Sequence, residues 1–178
     1  EKAFSYFGLL EVGEPHYADA QTRRGQIYLV KRNNAELQEE KNRYGGGAAD
    51  AFDNAHEAGG SLQANPNFAY RVMTLNYELE MFPKALIWFK RLEPYIHQMD
   101  PDPQKQKEKF VSAYYYRASA EHKLYEQEAV KQGNKDLNRL NNLKDRWTRF
   151  RRIAKSRGLI EEYNTRIETA RGQIAVWY

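Results

Sequence analysis

Three stretches of this chain repeat one pattern: a small residue, an aromatic four positions on, then an apolar or small residue three further. They are Ala3-x3-Phe7-x2-Leu10, Ala48-x3-Phe52-x2-Ala55 and Ala85-x3-Phe89-x2-Leu92. Steps of four and three place all members of a set on one face of an α-helix. The small residue lets a second helix approach, the ring fills the space one turn along, and the third residue completes the face. A helix carrying such a face must bury it against other helices, so the pattern points to stacked helices. Strand signals are poor, with no β-branched alternation bounded by hairpin turns and no Asn-Gly or Asp-Gly between apolar runs.

Starts and stops divide the rest of the chain into helices. Ala3, Phe7 and Leu10 share a face that Gly13 to Pro15 ends, and Tyr17 to about Arg32 forms a second helix. Ala48 to Ala58 makes a third, closed by Gly59-Gly60. Asn65-Pro66 reads as an N-cap followed by proline at the first helical position, opening a helix to about Glu80. Phe82-Pro83 opens the next, to about Met99, and Asp100-Pro101-Asp102-Pro103 is a further breaker and cap. A long helix from about Gln104 to Gln132 follows, then Asn134 to Arg157 stopped by Gly158, then Leu159 to Val176. The segment Asn33 to Gly47 is polar, charged and glycine-ended, and it reads as a long loop with a short helix over Ala35–Asn42. Gly45 to Gly47 is not a phosphate cradle, because Ala48, Ala49 and Asp50 follow where a P-loop needs Lys and Ser or Thr. The triplet reads instead as a hinge.

The second-helix A-x3-F-x2-A pattern, the Gly25-x2-Tyr28 of the preceding helix and Pro15 after the first pair resemble the tetratricopeptide repeat family. Val72, Met73, Leu75 and Leu79 fill the equivalent first-helix face before Phe82 and Ala85. The resemblance covers residues 1–95 and weakens beyond them. There Tyr114 to Leu124 offers a first helix with Ala118 in the small position, and Trp147, Phe150 and Ala154 lack the alanine-to-phenylalanine spacing. The copies begin at Ala3, Ala48 and Ala85, whereas the family period is about 34 residues. The larger excess falls on the 33–47 segment, read as a loop insertion. The resemblance implies an all-α fold, a right-handed α-solenoid of antiparallel helix pairs. Residues 1–103 would form helix pairs, and 104–178 longer, divergent helices continuing the same single domain. A match that opens on a second helix also suggests a piece of a larger protein. The alternative architecture is an irregular all-helical bundle.

No cysteine is present, which excludes disulfides, thiolate metal sites and cysteine nucleophiles. No apolar run reaches the roughly 20 residues needed to span a bilayer. No signal or lipidation motif is visible, so cytoplasm and bacterial envelope are both compatible compartments. The four histidines, His16, His56, His97 and His122, stand far apart, and no H-E-x-x-H or G-x-S-x-G occurs. Glu39-Glu40 and Glu161-Glu162 are adjacent carboxylates that diverge on a helix. The pattern therefore asks for no catalytic residues, no metal and no cofactor. An enzyme would instead have to gather carboxylates or histidines from separate helices.

Two surfaces stand out. In the repeat family, first helices line the concave face. Carried over residue by residue, the resemblance places Thr22, Gln26, Leu29, Tyr70, Thr74, Tyr77, Tyr115, Ser119 and His122 there. Tyrosine offers large contact area at low rotamer cost, so the implied function is a non-catalytic scaffold or adaptor holding a peptide or helix of a partner. Bacterial envelope, secretion and motility assemblies use such modules. The Lys and Asn set that clamps chaperone tails in some members is missing here. The second surface is the basic helix 134–158. Residues 1–100 hold 11 Lys/Arg against 14 Asp/Glu, and residues 101–178 hold 17 against 10, so the net +4 belongs to the second half. Lys144, Arg146, Arg149, Arg151, Arg152, Lys155 and Arg157 crowd its last turns, opposite a Leu137, Leu140, Leu143, Trp147, Phe150 stripe. That surface suits an acidic protein partner, peripheral contact with anionic lipid or, as the alternative function, nucleic-acid phosphates.

Overall fold

The computed structural model describes residues 7, 9–59, 65–130, 133 and 135–178. The helix expected around Ala3, Phe7 and Leu10 therefore lies mostly outside the described residues. Those described form seven α-helices and no strand. They are α1 (Tyr17–Asn34), α2 (Gln38–Glu57), α3 (Pro66–Glu78), α4 (Phe82–Leu92), α5 (Pro103–Tyr125), α6 (Leu137–Ser156) and α7 (Ile160–Trp177). A 3-10 segment, Glu93–Gln98, extends α4, and a π-helical turn, Glu126–Val130, extends α5. None of the described helices is long and apolar enough to cross a membrane.

The helix starts follow local chemistry. The Asn65 side chain accepts from the Phe68 amide at 3.1 Å, with Pro66 at the first helical position. Asp102 takes the amides of Gln104 and Lys105, and Asp136 those of Asn138 and Arg139. Pro94 has no amide proton to give the carbonyl four residues back, and α4 tightens there into the 3-10 segment. Gly158, at φ +67°, ends α6 in the left-handed conformation.

The segment 33–47 corrects the loop reading. α2 starts at Gln38 and runs through all three glycines without a break. Helical glycine costs about 1 kcal/mol relative to alanine, so the triplet needs a compensating gain. Two of the three have one in close packing. A Cβ on Gly47 would lie 2.9 Å from the Tyr28 ring, and one on Gly45 would lie 2.8 Å from Leu79. From the opposite side, a Cβ on Gly25 would sit 2.4 Å from the Phe52 ring. α1 and α2 thus form a tight antiparallel pair, each pressing aromatic rings onto the other's glycines. The hinge reading fails because the triplet is helical, with Gly45 and Gly47 serving as packing surface.

Each later helix packs on its predecessor, and α3 also packs on α5. Contacts Asn67–Lys109, Tyr70–Ser112 and Tyr77–Ser119 make α3 and α5 parallel. Tyr115–Tyr163 and Tyr125–Trp177 do the same for α5 and α7. Asp50–Lys84 and Asp53–Trp88 run α4 parallel to α2. One apolar cluster continues from Ala48 on α2 to Trp177 on α7, with Met73, Trp88, Leu92, Tyr125 and Phe150 almost wholly enclosed.

The glycine packing has a direct test. Gly25→Ala should lose about 1–3 kcal/mol in urea unfolding, because the added methyl overpacks against Phe52. Gly46→Ala, whose Cβ meets nothing within 4 Å, should instead gain up to about 1 kcal/mol. Equal gains at both positions would contradict the close approach of α1 and α2.

Candidate functional site

The face carried by α3, α5 and α7 gathers tyrosines at helical spacing. The Tyr70 hydroxyl meets Ser112 Oγ at 2.7 Å, and the Tyr77 hydroxyl meets Ser119 Oγ at 2.6 Å. Ser112 Oγ donates to the Lys109 carbonyl at 3.1 Å. Its single proton is thereby used, so Tyr70 donates to Ser112. One turn earlier, Lys109 Nζ donates to Asn67 Oδ1 at 2.9 Å and ion-pairs with Asp100 at 2.7 Å. Three contacts at one sequence offset of 42 hold the two helices in register.

Rings pack around this ladder. Tyr116 meets Tyr77 at 5.0 Å between ring centroids and Tyr115 at 5.5 Å, both inclined. Tyr115 continues to Tyr163 of α7 at 5.3 Å and backs onto Phe150 of α6 at 5.7 Å. The Arg166 guanidinium lies 4.9 Å over the Tyr115 ring, a cation–π contact at the α7 side of the patch. At the α3 side, Glu78 pairs with Arg32 of α1 at 2.7 Å. The patch therefore runs from a carboxylate to a guanidinium across five phenols.

Their acidity follows from this enclosure. Burial, then the neighbouring charges of Tyr70 and Glu78, pushes the Tyr116 phenol up to about 12. Burial is also the main cause raising Tyr70, Tyr77 and Tyr163. Held in the neutral form, these phenols supply apolar area and hydrogen bonds at neutral pH.

Of the nine expected groove residues, the structure brings together Tyr70, Tyr77, Tyr115 and Ser119. Ser119 is itself buried and serves as the anchor for Tyr77. Thr74 is half-buried beside them, with its hydroxyl turned back to the Arg71 carbonyl at 2.9 Å. His122 is a correction, since it is 3% exposed between Trp147 and Trp177 and belongs to the core. Thr22 is also buried, while Gln26 is exposed and Leu29 packs at the core edge. All three sit on α1, which packs chiefly on α2. Tyr116, Ser112, Tyr163 and Arg166 were missed. The run Tyr114-Tyr115-Tyr116 hid which ring faces which side, and the offset of 42 appears only once α3 and α5 are laid together.

The basic helix is less free than its sequence suggests. Arg146 pairs with Glu121 at 3.0 Å. Arg149 lies over Tyr114 at 5.5 Å and Arg157 over Phe110 at 4.8 Å. Lys144 lies 5.7 Å over the Tyr178 ring, and Arg151, Arg152 and Lys155 are exposed. Trp147 and Phe150 are buried and offer no stacking platform. Among the described residues no group of three His, Asp or Glu is placed to hold a metal ion. His56 and His97 each rest against an aromatic ring, Trp88 at 5.2 Å and Phe110 at 4.9 Å. Comparison with known proteins matches no family model, no curated protein and no solved structure.

The raised phenols fix a pH dependence. A folded-state value above the unfolded one means the fold holds the proton more tightly than the open chain does. The contribution of these groups to stability is therefore intact below about pH 10 and is lost as pH climbs from 10 towards 12. In an ultraviolet titration the most alkaline phenol should disappear in Tyr116→Phe. All 13 tyrosines ionising together near pH 10 in the native protein would contradict the enclosure.

Proposed function

We propose that the protein is a non-catalytic scaffold that holds a peptide or helix of a partner protein against the tyrosine face of α3, α5 and α7. The observation that supports this most is the construction of the face. Its rings are fixed by the ladder at Tyr70 and Tyr77 and by mutual contact, so their rotamer freedom is already spent before a partner arrives. Half-exposed, pre-ordered tyrosines with neutral hydroxyls are the side chains that recur at interaction hot spots. We read the helix pairs as a tetratricopeptide-like α-solenoid, with α1, α3, α5 and α7 as first helices and α2, α4 and α6 as second helices. In that reading the face extends towards Gln26 and Leu29 on α1 and serves a larger assembly.

Nucleic acid binding through residues 134–158 is the competing reading. The ion pair at Arg146 and the ring contacts of Arg149 and Arg157 weigh against it, because they reduce the charge available to phosphates.

Affinity capture from source lysate, with nuclease treatment in parallel, separates the two. Tyr70→Phe/Tyr77→Phe removes the hydroxyls and keeps the rings, whereas Tyr77→Ala/Tyr116→Ala removes ring area. A protein partner that survives nuclease should be retained at least partly by the phenylalanine pair. It should fall about tenfold or more with the alanine pair, checked to be folded by circular dichroism. Nucleic acid captured by the parent and lost only with Arg151→Glu/Arg152→Glu would overturn the scaffold reading.

A further inference from the structure

α6 and α7 form a groove of about 620 Å³ whose lining shares no residue with the tyrosine face. Lys144, Trp147, Thr148 and Arg151 line it from α6, at positions i, i+3, i+4 and i+7. Glu168, Arg171, Gly172 and Ala175 line it from α7 at the same spacing. Two stripes of helical period on neighbouring helices form the kind of groove that a third helix fills. Each described helix lies on the one before it, and α5 packs on both α3 and α4. No described helix covers this groove.

Two features specify the occupant. Gly172 and Ala175 are exposed and small, and a Cβ added at Gly172 meets nothing within 4 Å, so a backbone can come close to the floor. Lys144, Arg151 and Arg171 form a cationic rim against the single carboxylate Glu168, which Arg171 holds at 3.0 Å. That leaves Lys144 and Arg151 without a carboxylate among the lining residues. Trp147, 3% exposed, carries an indole N–H with no hydrogen-bond partner. That nitrogen is enclosed, so Trp147 contributes to the groove as part of its wall. Tyr178, whose hydroxyl meets Asn141 Oδ1 and whose ring underlies Lys144, walls off one end.

We propose that the α6–α7 groove is a docking site for an acidic amphipathic helix of a partner protein. The helix sets small apolar residues on Gly172 and Ala175, and its carboxylates face Lys144 and Arg151. The lining from Lys144 to Arg151 spans about 10 Å along α6, so two to three turns of the partner make the contact. A nucleic acid would use the same cations but would have no use for a small-residue floor. This inference does not depend on the tyrosine-face reading.

The test uses the full chain and a fluorescein-labelled peptide of about 18 residues, roughly 27 Å as a helix. The peptide is rich in Glu, with Ala and Leu on one face. Saturable binding is expected by anisotropy. It should weaken about tenfold or more in Gly172→Leu, which fills the floor in open space and leaves the fold intact, and similarly in Lys144→Glu/Arg151→Glu. A composition-matched peptide with a central proline should bind at least tenfold more weakly. In a spectrum of the indole protons, assigned with Trp147→Phe, the Trp147 resonance should shift on adding peptide, because its ring lines the groove. The Trp88 indole already donates to Asp53 at 2.7 Å and should stay put. The proposal is overturned by no saturable binding, by unchanged binding in Gly172→Leu, or by an unmoved Trp147 resonance. Tighter, Gly172-independent binding of a single-stranded oligonucleotide or of phosphatidylserine vesicles would also overturn it.

Discussion

The register between α3 and α5 is the contact from which the rest of the structure takes its geometry. Asn67–Lys109, Tyr70–Ser112 and Tyr77–Ser119 repeat at one offset over two and a half turns and more, so sliding either helix breaks all of them together. Each hydrogen bond contributes only about 1 kcal/mol net, but leaving a half-buried hydroxyl unmet costs more than that. The ladder therefore acts through the penalty for misalignment. It decides which side of α5 faces out, and with it the position of Tyr115 and Tyr116 and the place where Tyr163 of α7 comes to rest.

The two ends of the molecule solve the packing problem differently. At α1 and α2, glycines take rings from across the interface, and the helices come close at the cost of helix propensity. At α5, α6 and α7 the same role falls to large aromatics, with Tyr115, Trp147, Phe150 and Tyr163 filling a wider gap. Arginines complete that end by lying on ring faces, Arg117 on Phe89, Arg149 on Tyr114 and Arg166 on Tyr115. Much of the positive charge in the second half is therefore engaged in packing, which is why net charge alone overstates the case for a polyanion partner.

Local chemistry was legible in the sequence. The caps at Asn65 and Asp102, the stop at Gly158 and the apolar faces of α4 and α6 all lie within a few residues of their causes. The glycine triplet was not legible, because three glycines mean a hinge or a close approach according to what stands opposite, and Tyr28 and Leu79 are far away in sequence. The tyrosine face was half legible. The resemblance to the repeat family marked Tyr70, Tyr77 and Tyr115, but the partners that fix them, Ser112 and Tyr163, depend on the register. His122 shows the reverse error: a first-helix position predicted to face a groove is roofed by Trp177, a residue on a helix that diverges from the repeat pattern.

A double-mutant cycle on the ladder tests the central claim, that Tyr–Ser hydrogen bonds lock α3 to α5 and so present the tyrosine face. Unfolding free energies of Tyr77→Phe, Ser119→Ala and the double variant isolate their coupling, and Tyr70→Phe with Ser112→Ala repeats it one step along. The account predicts a favourable coupling of about 0.5–1.5 kcal/mol in each cycle, with the aromatic circular dichroism of the face altered in the single variants. Strictly additive effects in both cycles would contradict it and leave the tyrosine face without the constraint that orders it.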